Sequence, residues 1–206
     1  AAMKHIEICE ENPFDAVKTN VVGTSNILES SIIEGIEKFV FISTDKATNP
    51  TSTLGGSKLL AERLTLDAGT YSGKSQTKFA IVRFGNVLGS RGSVFQIFQK
   101  QIRMKKPLTV TDKNMTRFIM SISDAASMIL HVTKILTGGE IYILKMPSIR
   151  IEDLAKGMLH VYGSRFPDYR NTSSLKITKQ RGERFHELLI SKEEIPYCHD
   201  MGDMYK

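Results

Sequence analysis

The stretch Lys38-Phe39-Val40-Phe41-Ile42 is β-branched and aromatic with almost no polar interruption, as expected of a strand buried on both faces of a parallel sheet. Ser43-Thr44-Asp45-Lys46 follows directly, so Thr44, Asp45 and Lys46 sit at a strand's carboxyl end, where open α/β sheets hold ligands. After Leu54-Gly55-Gly56-Ser57-Lys58, the residues Leu59, Leu60 and Leu64 recur at helical spacing up to Leu66, with Glu62 and Arg63 on the other face. Lys58 then falls in the first turn of a helix and can point back toward Asp45. An acid, a base and a second lysine thereby surround one cleft.

Punctuation along the chain gives the remaining elements. Asn12-Pro13 reads as an N-cap and first helical residue, and Phe14, Val17, Val21, Leu28 and Ile32 keep one helical face apolar until Gly35. Gly69-Thr70-Tyr71-Ser72-Gly73-Lys74-Ser75 has three residues between its glycines where a phosphate loop needs four, so it reads as a polar turn between a helix ending near Ala68 and a strand at Phe79-Ala80-Ile81-Val82. Val94 to Met104 reads as a helix broken by Pro107, and Leu108-Thr109-Val110 as a short strand. Ser123 to Leu136 reads as a helix capped by Ser123 or Ser121 and stopped by Gly138-Gly139. Ile141 to Leu144 reads as a strand, and Ile151 to Tyr162 as a helix.

The active-site segment resembles that of the extended short-chain dehydrogenase/reductase superfamily, with its Ser-Thr/Ser and Tyr-x-x-x-Lys pattern. Ser43-Thr44-Asp45-Lys46-Ala47 with Pro50 is similar to the segment of the UDP-N-acetylglucosamine 4,6-dehydratases of polysaccharide and flagellin-sugar biosynthesis. Further stretches resemble that family: Ala1-Ala2-Met3-Lys4-His5, Lys18-Thr19-Asn20 through Asn26, Val82-Arg83-Phe84-Gly85-Asn86 through Val94, Met115-Thr116-Arg117-Phe118, and Gly182-Glu183-Arg184-Phe185-His186-Glu187. Two departures stand out. Leu54 occupies the usual tyrosine position, which disfavours ordinary ketone reduction, although some relatives in this branch carry methionine there. Gln180-Arg181-Gly182-Glu183 stands where the family reads Arg-Pro-Gly-Glu, with Arg181 offering a guanidinium one position along.

The resemblance implies an α/β fold: the C-terminal portion of a Rossmann-type doubly wound parallel sheet, plus a small mixed α/β substrate lobe. Residues 1–85 would be the second half of an NAD(P)-binding domain and residues 86–206 the nucleotide-sugar-binding lobe. No Gly-x-Gly-x-x-Gly occurs in the sequence. The expectation is that roughly 100 residues, enough for the first βαβ units, lie upstream and that this chain alone does not turn over.

The implied chemistry moves a hydride from carbon 4 of the hexose to a nicotinamide cofactor, NAD or NADP. Water is then lost across carbons 5 and 6, and the hydride returns at carbon 6. In this scheme Lys46 is the base at carbon 5, Asp45 the acid at the carbon 6 hydroxyl, and Thr44 a partner of the carbon 4 oxygen. Lys58 holds the nicotinamide ribose, with Ala1, Ser43 and Phe84 also against the cofactor. Lys4, Asn86, Ser90, Arg91, Thr109, Arg117, Arg181 and Glu183 face the UDP-sugar. Amide and guanidinium donors suit its phosphates.

Blander readings stand beside these. Asn20 either satisfies backbone groups within its helix or binds an active-site water. Arg117 could pair with Asp112, and Glu183 could cap a turn. Met115, Met120 and Met128 read as packing. The five histidines have no metal-site spacing. The net charge of +6, from 28 Lys+Arg against 22 Asp+Glu, is spread along the chain and suits an anionic nucleotide. Aromatic-basic clusters that would favour nucleic acid are lacking. No apolar run reaches the roughly 18 residues of a membrane span. Cys9 and Cys198 read as reduced thiols of a cytoplasmic protein, a homo-oligomer at full length. A 4-epimerase, which would not need Lys46, and a non-catalytic nucleotide-sugar-binding module are the alternative functions.

Overall fold

A computed structural model describes residues 2–71, 76–165, 175–177 and 183–206. In chain order it contains α1 (Ile6–Glu11), α2 (Pro13–Val17), a π-helical turn (Lys18–Val22), α3 (Gly23–Ile33), β1 (Lys38–Thr44), a 3-10 turn (Asp45–Ala47) and α4 (Thr53–Tyr71). Then come β2 (Lys78–Phe84), β3 (Asn86–Val87), α5 (Val94–Arg103), β4 (Leu108–Val110), β5 (Thr116–Met120), α6 (Ile122–Ile135) and β6 (Glu140–Leu144). The chain finishes with β7 (Ser148–Arg150), α7 (Ile151–Arg165), β8 (Leu175–Ile177), a 3-10 turn (Ile195–Tyr197) and β9 (Met204–Tyr205). The polar turn read after Gly69 reaches residues 72–75, outside the described residues.

Strands β1, β2 and β6 pair in parallel, Phe41 opposite Ile81 and Ile81 opposite Ile141, and β9 runs antiparallel along β6. Helix α4 makes the crossover that parallel neighbours require. The side-chain alternation of β2 explains its continuous apolar sequence. Phe79 and Ile81 pack with Leu28, Ala61 and Ala68 on the α3–α4 side, whereas Ala80, Val82 and Phe84 pack with Met120, Met128 and Val132 on the α6 side. Each such large side chain contributes roughly 1.5–3 kcal/mol by its burial.

Sheet strand β6 and helix α6 come from beyond residue 85, so the expected boundary there does not divide the sheet from the rest. The chain leaves the sheet after Phe84 and returns to it with α6. A second core forms away from the sheet, where Phe98 and Ile102 of α5, Leu108 and Val110 of β4, Met115, and Ile151, Ala155 and Met158 of α7 pack together. Met115, Met120 and Met128 are packing residues, all buried.

Three local expectations change. Asn12 stands at the N-cap position of α2 but donates its side-chain amide back to the Ile8 carbonyl instead of capping. Phe14 is 84% exposed, because α2 turns Ala16 inward against Leu54 and Cys9. Helix α4 begins at Thr53, which puts Lys58 in its second turn, and Glu62 is buried while Leu60 is exposed. Glu62 goes inward because Arg83, on the same face of β2 as Phe79 and Ile81, supplies its counter-charge. At α6 it is Ser121 that caps, in a reciprocal capping box with Asp124. Among the described residues, no helix is long and apolar enough to cross a membrane.

Candidate active site

Where β1 ends, Thr44 keeps extended backbone and caps the 3-10 turn that follows, its Oγ1 accepting from the Lys46 amide at 3.4 Å. The same hydroxyl donates to Asp45 Oδ1 at 2.9 Å, and Lys46 Nζ donates to that oxygen at 2.9 Å. Asp45 is fully buried, and its Oδ2 has no hydrogen-bond partner among the described residues. Lys46 Nζ also lies 3.5 Å from Asn86 Oδ1 and 3.7 Å from Glu187 Oε1. Gly85 makes this arrangement possible: a β-carbon there would stand 2.6 Å from Phe118 Cβ and 3.2 Å from Asp45 Oδ2.

Lys58 does not turn to Asp45. Its Nζ donates to the Ile42 carbonyl at 2.6 Å and stands 4.1 Å over the Phe41 ring. The displacement follows from α4 starting earlier than the leucine spacing suggests. Burial pushes the Lys58 ammonium down to about 8, partly offset by Glu62.

A cavity of about 620 Å³ joins most of the expected site residues. Ser43, Thr44, Lys46, Lys58, Phe84, Asn86, Ser90 and Lys4 all line it, and so does Leu54. Ser43 Oγ is buried there with no hydrogen-bond partner among the described residues. Asn20, in the π-helical turn, bonds neither its own helix nor open space. Its amide ties Met3 N and O to Ser57 Oγ, fixing the cavity's N-terminal wall to α4. Turns of π-helix are frequent at functional sites.

Other expected residues lie apart from the cavity. Arg117 is buried and faces Glu183 at 3.7 Å rather than Asp112, while Glu183 accepts from Thr111 Oγ1 at 2.9 Å. The reason is position: Arg117 on β5 points beneath the 183–187 segment, and its Nη1 donates to the Thr116 and Phe185 carbonyls. Thr109 exchanges hydrogen bonds with Gln101. Arg91 is exposed in the loop before α5. Ala1 and Arg181 lie outside the described residues.

Glu187 is a site residue that local sequence reading did not single out. It is 6% exposed and reaches Lys46 from a segment more than 100 residues later. Its only signal was its place at the end of Gly182-Glu183-Arg184-Phe185-His186-Glu187. Arg184 from the same segment donates to the Thr48 carbonyl at 3.1 Å, and the Thr48 hydroxyl to the Leu189 carbonyl at 3.3 Å, docking the segment onto the turn that carries Asp45 and Lys46. Among the described residues, no group of three or more His, Cys, Asp and Glu is placed to hold a metal ion.

The model of the polysaccharide biosynthesis protein family matches residues 1–206. An uncharacterized membrane protein of Methanocaldococcus jannaschii is 48% identical over the whole chain, which spans 62% of that relative. The UDP-N-acetylglucosamine 4,6-dehydratase (inverting) of Campylobacter jejuni is 38% identical and a UDP-glucose 4-epimerase of Rickettsia bellii 35%, each over the whole chain and 59% of the relative. Among solved structures, Pen from Bacillus thuringiensis superposes with a TM-score of 0.95 at 40% identity, covering all of this chain and 63% of that one. The dTDP-glucose 4,6-dehydratase DesIV from Streptomyces venezuelae, solved with NAD bound, shares the fold at a TM-score of 0.82 and 19% identity, over 95% of this chain and 64% of that one. The chain thus spans less than two thirds of these relatives, and its fold is the C-terminal portion of a Rossmann-type α/β enzyme fold. By the match of that family model to residues 1–206, the chain belongs to the polysaccharide biosynthesis protein family.

Proposed function

We propose that this chain carries the acid–base machinery of a nucleotide-sugar 4,6-dehydratase acting on UDP-N-acetylglucosamine. The observation that carries the reading is the 2.9 Å hydrogen bond between Lys46 Nζ and a fully buried Asp45, with the Thr44 hydroxyl on the same carboxylate oxygen. A hydroxyl, an acid and an amine in contact supply the three proton positions that the reaction uses.

Ser43 Oγ, buried and unpartnered on the cavity wall, and the Lys58 ammonium fit the ribose end of NAD or NADP, while a glycine turn for the pyrophosphate is not in this sequence. When bound, that cofactor supplies reversible hydride acceptance. The protein's own part is proton traffic. Thr44 Oγ1 meets the carbon 4 oxygen and takes up its hydroxyl proton as its own proton, hydrogen-bonded to Asp45 Oδ1, passes to that carboxylate. Lys46 takes the carbon 5 proton. Asp45 then gives its proton to the carbon 6 hydroxyl, which leaves as water, and Lys46 returns its proton to carbon 5. Both residues end as they began. Leu54 contributes no hydroxyl, so Thr44 takes the place of the superfamily's tyrosine.

The second core of α5, β4 and α7 supports a nucleotide-sugar lobe drawn from residues 86–206, with the stretch 122–144 returning to the sheet. Asn86, Ser90 and Lys4 are the cavity's candidates for the UDP-sugar. A 4-epimerase is the second reading, favoured by the 35%-identical relatives that bear that name.

Solvent deuterium separates the two. In the chain extended upstream to its relatives' length, a dehydratase incorporates deuterium at carbon 5, and Lys46→Ala lowers the rate by roughly 100- to 10,000-fold, the usual worth of a positioned general base. Inversion at carbon 4 without label at carbon 5 would establish the epimerase instead.

A further inference from the structure

We propose that Glu187 is a positioning residue for the proton-transfer pair: a second carboxylate that, together with Asp45, fixes the Lys46 amine and governs the pH range over which Lys46 serves as a base. The proposal rests on reading Asp45 and Lys46 as acid and base, and it adds a residue to which no role in the reaction has been assigned above.

The geometry comes first. Lys46 Nζ has Asp45 Oδ1 at 2.9 Å, Asn86 Oδ1 at 3.5 Å and Glu187 Oε1 at 3.7 Å, so two carboxylates share one amine. Asp45 and Glu187 are both buried, and each has one oxygen, Asp45 Oδ2 and Glu187 Oε2, without a hydrogen-bond partner among the described residues. A buried, unsatisfied carboxylate oxygen is costly, and native proteins keep such atoms where they serve a site. The 183–187 segment is built to hold Glu187 there. The Phe185 carbonyl accepts from the Thr116 amide at 2.9 Å, His186 Nδ1 hydrogen-bonds with Thr116 Oγ1 at 2.8 Å, and Arg184 holds the Thr48 carbonyl.

The charged groups facing Glu187 are Lys46 and Asp45 from the turn after β1, Arg117 from β5 and Arg184 from its own segment. Burial lifts the Glu187 carboxyl above the ordinary range. The positive charge of Lys46 opposes the lift, Asp45 adds to it, and Arg117 and Arg184 pull the other way. A carboxyl so placed keeps its proton to a higher pH than an exposed one. Glu187 thus adds a second carboxylate beside the amine that Asp45 already holds. Glu187 therefore acts through Lys46 and touches no reacting atom.

The test uses the chain extended upstream to its relatives' length, with two measurements against pH. The first is turnover and carbon 5 exchange of UDP-N-acetylglucosamine, with kcat and KM separated. The second is acylation of Lys46 by an amine-reactive ester, followed by peptide mass spectrometry on the free protein. In Glu187→Gln the acid-side midpoint of both profiles should move to lower pH by about 1 to 3 units, the usual effect of losing one nearby opposite charge. KM should stay unchanged. Midpoints that stay put in a folded Glu187→Gln variant overturn the proposal. If that variant does not fold, Glu187→Asp decides: a lower kcat plateau at unchanged KM supports the role, and parent-like kinetics overturn it. A parent enzyme with no carbon 5 exchange refutes the dehydratase reading alone, since acylation needs neither substrate nor cofactor and still reports on Glu187.

Discussion

Gly55 lets helix α4 begin directly against the carbonyl oxygen of Lys46: a β-carbon at position 55 would overlap that oxygen and stand 2.9 Å from Pro50 Cβ. The first turn of α4 and the turn bearing Asp45 and Lys46 are thereby packed backbone to backbone. Gly55→Ala should cost about 1–3 kcal/mol in urea denaturation, the penalty of overpacking, and should lower turnover by shifting Lys46. Gly56 is the control. Nothing lies within 4 Å of a β-carbon there, so Gly56→Ala should be neutral or stabilising by up to about 1 kcal/mol through helix propensity.

The buried ion pair behind the sheet offers a separate test. Arg83 donates from Nε and Nη2 to Glu62 at 3.1 and 2.7 Å, and from Nη1 and Nη2 to Glu194 at 3.0 Å each. It also donates to the Leu189 carbonyl at 2.9 Å, so one guanidinium fastens α4, β2 and the C-terminal segment. Arg83→Met leaves Glu62 buried without its partner and should destabilise the fold by about 3–5 kcal/mol by calorimetry. Glu62→Gln with Arg83→Met together should recover part of that loss, because the uncompensated buried charge is gone.

These residues show where sequence reading reached and where it stopped. The apolar run of β1, the carboxyl-end placement of Thr44, Asp45 and Lys46, and the helices α5, α6 and α7 follow periods of 2 and 3.6, which are local properties of the chain. The leucine spacing puts Glu62 on the outer face of α4, because no local rule shows that Arg83, 21 residues later, pairs with it. The leucine spacing starts α4 late and points Lys58 toward Asp45, whereas the helix begins at Thr53 and Lys58 Nζ meets the Ile42 carbonyl. The short strands β3, β5 and β7 carry too few residues for any periodicity to register. The Glu187 contact escapes a local reading for the same reason as the Glu62–Arg83 pair: its partner, Lys46, lies more than 100 residues earlier in the chain.

Lys58 gives a pH signature. Its folded-state ionisation, lowered from 10.5 to about 8, means that the unfolded chain binds more protons between those values. Stability should therefore rise with pH across that window, and the contribution is lost as pH falls toward 8, where the buried amine must carry its charge. The rise attributable to this group is at most about 3 kcal/mol. Lys58→Met should flatten it relative to the parent in denaturant titrations from pH 7.5 to 10.5. An equal rise in both proteins would assign the effect to other groups.

Thr44 carries the last test, because its hydroxyl is where substrate oxidation and water loss would share a proton. It donates to Asp45 Oδ1 and accepts from the Lys46 amide, so it both orients the carboxylate and connects it to the cavity. Thr44→Val keeps the β-branched shape that suits the end of β1 and removes only the hydroxyl. Losing a hydrogen bond to a charged group, about 1.5–3 kcal/mol, should lower kcat roughly 10- to 100-fold. Affinity for UDP, measured by calorimetry, should not change, because the proposed nucleotide contacts are Asn86, Ser90 and Lys4. Thr44→Ser returns the hydroxyl without the methyl and should recover most of the rate. Equal rates in the valine and serine variants would show that Thr44 only ends the strand, and the proton from carbon 4 would then need another route to Asp45.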